Sequence, residues 1–166
     1  VHLLDVNVGL PGLDEAALLP KITRELQAVT DLPLQLDSSD PAALANAMRV
    51  YNGKPLVNSV NGEEESLERI LPIVKKYGGA ILGLALDEGG IPPKAEQRFA
   101  IAKKIMERAL AIGIPKEDIY IDCLCLTASA QQEAVMETLK AIKMVKEELG
   151  LKTVLGVSNI SFGLPQ

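Results

Sequence analysis

The chain has 166 residues, of which 48% are hydrophobic, and this is enough to bury the core of one domain. Asp and Glu total 22 against 17 Lys and Arg, and the net charge of -5 argues against a surface that binds nucleic acid or anionic membranes. No apolar run approaches the ~20 residues of a membrane-spanning helix and no secretory signal opens the chain, so we expect a soluble, cytoplasmic protein.

Six apolar or β-branched runs alternate along the chain with segments of helical spacing. In chain order they are VHLLDVNV, LPLQLDSS, KPLVNSV, GAILGLALD, DIYIDCL and KTVLGVSN. This alternation predicts parallel strands joined by right-handed crossovers through helices. Since no disordered linker interrupts the pattern, we predict a single α/β domain over residues 1–166.

Capping signals mark where the helices begin. Asp40 followed by Pro41 predicts a cap and a first-turn proline, and Asn61 with Glu64 three residues later predicts a second cap. Ser129 is expected to open the last helix. The expected buried stripes are Phe99, Ile101, Ile105, Met106 and Ala109 in one helix, and Val135, Leu139, Ile142 and Leu149 in the last.

A carboxylate or an amide stands at the end of every predicted strand. These residues are Asp5 and Asn7, Asp37, Asn58, Asp87, Asp122 and Asn159. The carboxyl ends of parallel strands lie at one face of an α/β fold, where ligands bind, so these side chains should converge on one cleft. The alternative is that each one caps a helix or forms a turn, which we favour for Asp40 and Asn61.

The residue types limit the chemistry of such a cleft. Asp and Asn suit a planar heterocycle with amide and amino edges better than a phosphate, and no glycine-rich phosphate loop is present. The single histidine, His2, gives no confident Ser-His-Asp arrangement. Cys123 and Cys125 are too close in sequence for an unstrained disulfide, so we expect buried reduced thiols and no metal site.

Five ordered segments resemble a known family. LDVNVGLPG, LQLDSSDP, LVNSVNGEE, YIDCLCLT and TVLGVSNISFGLP are similar to motifs of the pterin-binding (β/α) barrels of methyltetrahydrofolate-dependent corrinoid methyltransferases. That family includes the folate domain of cobalamin-dependent methionine synthase. The resemblance implies a TIM (β/α)8 barrel, here truncated to six parallel strands and five helices.

The resemblance also implies an activity and roles for particular residues. The N5 methyl group of methyltetrahydrofolate would pass to the cobalt of a corrinoid, or cobalamin, carried by a partner protein or domain. Asp37, Asn58 and Asp122 would hydrogen-bond the pterin ring, while Asn159 would also assist the departing N5. Weaker candidates for the pocket lining are Asp5, Asn7, Ser59 and Asn61.

The length departs from the family pattern, because an eight-stranded barrel typically needs about 250 residues. We therefore expect the first strand-helix unit and the C-terminal units to be missing from this chain. Exposed strand edges would then favour self-association. A second departure is Cys123, where the family usually has a proline.

Two other functions are open. A dihydropteroate synthase-like enzyme would share the fold and the pterin site, but its SRKS-like motif is replaced here by SNIS at residues 158–161. The third possibility is a folded but inactive barrel fragment that acts only as a scaffold.

Overall fold

The computed structural model describes residues 1–125 and 132–157. Within these ranges strands and helices alternate in the predicted order. The strands are β1 (Leu4–Asn7), β2 (Leu34–Asp37), β3 (Leu56–Asn61), β4 (Ala80–Leu84), β5 (Ile119–Asp122) and β6 (Lys152–Val154). The helices are α1 (Glu15–Gln27), α2 (Pro41–Val50), α3 (Glu64–Tyr77), α4 (Ala95–Ala111) and α5 (Gln132–Met144), the last continuing into a π-helical turn at Val145–Leu149.

The six strands form one parallel sheet whose spatial order is the same as the chain order. Because parallel crossovers are right-handed and the order never reverses, all five helices cover the same face of the sheet. We call the opposite face the open face. The predicted fold class, six parallel strands and five helices of a (β/α) barrel, is confirmed.

The hydrophobic core lies between the sheet and the helices. Alternate residues of each strand point into it, and the helices supply leucine and isoleucine side chains from the other side. Fully buried members include Leu34, Leu36, Val57, Ile81, Ile119 and Ile121 from strands, and Leu19, Leu44, Leu67 and Ile105 from helices. The intervening strand residues are thereby directed to the open face.

One predicted helix cap is confirmed and the other is displaced. Asp40 caps α2 by accepting a hydrogen bond from the Ala42 N–H, with Pro41 in the first turn. The N-cap of α3 is Glu63, so the prediction that Asn61 caps this helix was wrong. Asn61 is still paired in β3, and its Oδ1 accepts from the Glu63 N–H at 2.9 Å. Strand pairing therefore delays the helix start by two residues.

The predicted core of α4 is largely confirmed, whereas that of α5 was partly wrong. Ile101, Ile105 and Ala109 are buried, and Phe99 and Met106 pack against the core as half-buried residues. In α5, Leu139 is 52% exposed. Leu149 is buried as predicted, Val135 and Ile142 are half-buried, and the other buried positions of this stripe are Ala134, Thr138, Ala141 and Val145. Ser129, the expected start of this helix, lies outside the described residues.

No helix in the described ranges is both long and apolar enough to cross a membrane. Both cysteines, Cys123 and Cys125, are buried, as predicted.

Candidate functional site

The first three strands bring three predicted site residues side by side. Asn7 is paired with Asp37 across β1 and β2, and Asp37 is paired with Asn58 across β2 and β3. Their strand neighbours Val6, Leu36 and Val57 are buried under the helices. Asn7, Asp37 and Asn58 therefore form one row on the open face at the carboxyl ends of the strands.

Burial has the largest effect on the pKa of the Asp37 carboxyl group. It raises the pKa of Asp37, the Asn7 side chain offsets part of that rise, and the negative charges of Asp5 and Glu15 add to it. Glu15, in the first turn of α1, accepts a hydrogen bond from the Ser38 hydroxyl at 2.5 Å. The tip of β2 is thus a crowded acidic site that favours a ligand donating hydrogen bonds.

The predicted residue Asp5 lies one step further from the strand ends. It shares the open face with Asn7, and its Oδ1 accepts a hydrogen bond from the Gln35 side chain at 2.5 Å. Gln35 is paired with Asp5 across the two strands. Asp5 and Gln35 therefore form a second pair on the open face, two residues before Asn7 and Asp37.

A bulge changes the alternation of β3 at Ser59. Asn58 is paired with Leu82, and Asn61 with Leu84, although two residues separate Asn58 from Asn61 and only one separates their partners. The extra residue brings both amides to the same side of the strand. Ser59 itself lines a cleft of about 280 Å³ between the tips of β2 and β3 and the starts of α2 and α3.

Asp122 ends β5, where it is paired with Leu84 of β4 and Val154 of β6. Burial raises the pKa of Asp122, and a hydrogen bond from the Leu124 N–H opposes that rise. The bond joins Leu124 N to Asp122 Oδ1 at 2.7 Å. Among the described residues, this bond engages one of the two carboxylate oxygens.

The structure does not bring every predicted residue to the row. Asp122 is two strands away from Asn58, with β4 and its Leu82 and Leu84 side chains between them. Asp87 lies beyond the end of β4 in a tight turn, where its Oδ1 accepts from the Gly89 N–H, so placing it at a strand end was wrong. Asn159 lies outside the described residues.

Sequence reasoning missed three contributors to this site, namely Glu15, Gln35 and Leu124. Gln35 carried a signal, because it stands two residues before Asp37 on the same strand. Glu15 approaches Ser38 only through the packing of α1 beside β2, and the Leu124 turn depends on its backbone conformation. No spacing of residues in the sequence predicts either contact.

The donors and acceptors on the open face suit a flat, polar ring. Carboxylates accept hydrogen bonds from ring N–H and amino groups, while amides both donate and accept. Among residues 1–125 and 132–157, no group of three or more His, Cys, Asp and Glu side chains is placed to hold a metal ion. A ligand here would be recognised through hydrogen bonds along its edges.

Comparison with known proteins gives a family match over almost the whole chain. Residues 2–165 match the sequence family described as pterin binding enzyme. Methionine synthase of Mycobacterium leprae is 32% identical over 98% of this chain and 14% of its own length. The methylcorrinoid:tetrahydrofolate methyltransferase of Eubacterium limosum is 27% identical over 98% of this chain and 61% of its own length.

Solved structures with the same fold include two dihydropteroate synthases. The enzyme of Vibrio fischeri superposes with a TM-score of 0.66 at 15% identity, covering 93% of this chain and 61% of its own. The Yersinia pestis enzyme in a sulfonamide drug complex gives 0.69 at 16% identity, covering 98% of this chain and 64% of its own. The chain thus spans less than two thirds of each of these relatives and structures.

Proposed function

Because the chain belongs to the family of pterin-binding enzymes, we propose that its open face binds methyltetrahydrofolate and that its reaction is methyl transfer to a corrinoid. The corrinoid, or cobalamin, would be held by a partner protein or domain and would supply the cobalt that accepts the methyl group. The names of the similar proteins support this choice, since one is a methionine synthase and another is a methyltransferase between methylcorrinoid and tetrahydrofolate.

The paired row of Asn7, Asp37 and Asn58 is the observation that carries the proposal. A pterin presents an amino group, a ring N–H and a carbonyl along one edge. The Asp37 carboxylate would accept from the amino and N–H groups, and the Asn58 amide would match a neighbouring donor or acceptor. The Asn7 side chain would hold Asp37 in place from the adjacent strand, and Asp5 with Gln35 would line the pocket beside it.

Asp122 would bind the ring from the far side of β4. Its Oδ1 accepts from the Leu124 N–H at 2.7 Å, so its other oxygen is directed by an existing contact and needs little reorganisation on binding. The two leucines of β4 between Asn58 and Asp122 would support the flat face of the ring. The pterin would therefore lie across β2 to β5.

The methyl transfer itself needs help at N5. The bond between N5 and the methyl carbon breaks as the methyl group passes to cobalt(I) without its bonding electrons. N5 keeps that electron pair and takes up a proton. Asn159 is the residue that we propose near N5, where its amide would stabilise the protonated or hydrogen-bonded leaving group.

Calorimetric titration with methyltetrahydrofolate tests the binding half. We expect saturable binding that weakens about tenfold or more in Asp37→Ala and in Asp122→Ala, because each removes an acceptor of charge-assisted hydrogen bonds. Asp31→Ala is the matched control, since this exposed aspartate precedes the other end of β2. Absence of binding by the unmodified chain at millimolar ligand would refute the proposal and favour an inactive scaffold.

Methyl transfer to free cob(I)alamin, followed by its absorbance, tests the chemical half and separates a methyltransferase from a dihydropteroate synthase. In Asn159→Ala we expect a rate lower by about a hundredfold with little change in pterin affinity, as for loss of one transition-state donor. An unchanged rate would remove Asn159 from the mechanism.

A further inference from the structure

Arg98, in the first turn of α4, is a charged side chain that is fully buried. Its Nε donates to the Pro92 carbonyl at 2.7 Å, ahead of the helix. Its Nη1 lies within hydrogen-bond distance of the carbonyls of Cys123 and Leu124, at 3.1 and 2.9 Å, and of the Thr138 hydroxyl at 2.8 Å. One guanidinium therefore ties the loop after β4, the turn after β5 and helix α5 together.

In the turn after β5, both the backbone N–H and the backbone carbonyl of Leu124 are hydrogen-bonded. The φ of Leu124 is 58°, a left-handed conformation that is unfavourable for a residue with a branched side chain. Its N–H donates to Asp122 Oδ1, and its carbonyl accepts from Arg98 and lies 3.1 Å from the Thr138 hydroxyl. Arg98 and the Asp122 carboxylate thus act on the same peptide turn from opposite sides.

Ion pairing does not account for Arg98 in the described part of the chain. The carboxylate of Glu137 accepts from the Ala95 N–H at 2.8 Å and forms an ion pair with Lys140. Arg98 Nη2 is buried and has no hydrogen-bond partner among the described residues. A buried cation with an unpaired nitrogen is less stable than a well-packed apolar side chain. Stability alone is therefore a poor reason for arginine here.

We propose that Arg98 is a positioning residue that orients the Asp122 carboxylate by fixing the Leu124 turn. The inference rests on the proposed function, in which Asp122 binds the pterin ring. Arg98 does not touch that ligand. It holds the Leu124 carbonyl, and this directs the Leu124 N–H at Asp122 Oδ1, which fixes the orientation of the carboxylate at the end of β5.

The test is calorimetric titration of the full chain with methyltetrahydrofolate, together with the thermal midpoint of each variant. In Arg98→Met we expect the dissociation constant to rise about tenfold while the number of sites per folded chain stays at one, as for loss of a group that orients a ligand-binding side chain. Arg98→Lys should bind methyltetrahydrofolate about as weakly, because a lysine ammonium cannot make the contacts that the guanidinium makes through both Nε and Nη1. Arg108→Met is the matched control. Arg108 lies on the same helix but is partly exposed and pairs with Glu64, so this variant should bind methyltetrahydrofolate normally.

A double-mutant cycle distinguishes positioning from a general structural role. Adding Arg98→Met to Asp122→Ala should weaken binding no further than Asp122→Ala alone, because no carboxylate is left to orient. A merely structural arginine would lower the thermal midpoint and the fraction of competent protein, and the dissociation constant of the folded protein would not change. That result, or additive losses in the cycle, would overturn the inference.

Failure of the two proposals can be told apart. No binding by the unmodified chain refutes the pterin function, whereas normal binding in Arg98→Met refutes only the role of Arg98. If Arg98→Met does not fold, Thr138→Val serves instead, since it removes the hydroxyl beside the Leu124 carbonyl. We expect it to weaken binding about threefold, and an unchanged dissociation constant would also overturn the inference.

Discussion

The charge of Asp122 is unfavourable for the stability of the fold, but its position at the end of β5 suits ligand binding. Burial raises its pKa, so the ionised form lowers the stability of the folded chain, and the hydrogen bond from the Leu124 N–H compensates only in part. Binding sites often sacrifice stability in this way for a preorganised charged group. The free energy of unfolding should therefore increase when this charge is removed.

We predict that Asp122→Asn stabilises the chain at about pH 7, by about 1 kcal/mol or less because the carboxylate keeps contact with water. The folded pKa lies above the ordinary value of 3.8, so the unfavourable effect is absent below 3.8, grows as pH rises through the folded pKa and is constant above it. The advantage of the variant should follow the same course.

Urea unfolding of the variant and the unmodified chain at about pH 7 and about pH 3.5 measures this difference. The gain should be present at the higher pH and largely lost at the lower one. A gain that is equal at both pH values would mean that the charge of Asp122 is not its origin.

Arg98 is a functional candidate that helical spacing could have revealed but that the sequence analysis did not identify. Ala95, Arg98, Ala102, Ile105 and Ala109 follow helical spacing along one buried stripe of α4. A charged residue on such a stripe indicates a buried polar contact. Its partners were not predictable, since two of them are backbone carbonyls of a turn whose geometry depends on Leu124.

Among the elements, the starts of α2 and α3 show which local signals determine structure. Asp40 and Pro41 begin α2 as predicted, because the strand before them ends three residues earlier at Asp37. Asn61 has an equally good capping sequence but remains paired in β3. Strand pairing, which involves a distant part of the chain, overrides the local preference.

The two helices also supply a matched pair of variants. Asp40→Ala should lower the free energy of unfolding by about 1 kcal/mol, because the Ala42 N–H loses its acceptor. Glu63→Ala should cost less than about half of that, since the Glu63 side chain makes no capping hydrogen bond and contributes only its charge at the helix start.

Urea unfolding of both variants at one pH measures the two costs side by side. Equal losses would show that the hydrogen bond to Ala42 contributes little, and that charge near the helix start is what matters.

The β3 bulge limits what could be predicted of the site at this scale. The sequence predicted Asn58 at a strand end and Asn61 as a helix cap, and strict alternation along one strand would direct the two to opposite faces. The bulge at Ser59 reverses this, and it is visible only in the pairing of β3 with β4. The strands followed from the apolar runs and the barrel from the family resemblance, whereas the grouping of the amides required the register.

For the molecule as a whole, the two edge strands of the sheet determine whether it can pair with another chain. In the described ranges β1 and β6 each pair with a single strand. No other strand of the described part pairs with their outer N–H and carbonyl groups, which are the groups that a strand of a second chain would use. The expected self-association therefore stays a prediction that this architecture makes reasonable.

Sedimentation velocity over a range of protein concentrations tests it. We expect dimers or larger species whose proportion rises with concentration, because edge pairing is intermolecular. A monomer at every concentration would show that the edges are protected, and the prediction would then be wrong.

The identical order of strands in space and in the chain also affects how the protein is made. As the polypeptide leaves the ribosome, each of the strands β2 to β6 finds one pairing neighbour already synthesised. Assembly of this sheet can then proceed in the order of translation, from β1 towards β6. Nascent chains stalled after successive helices should gain protease resistance stepwise, and a single late gain would refute this.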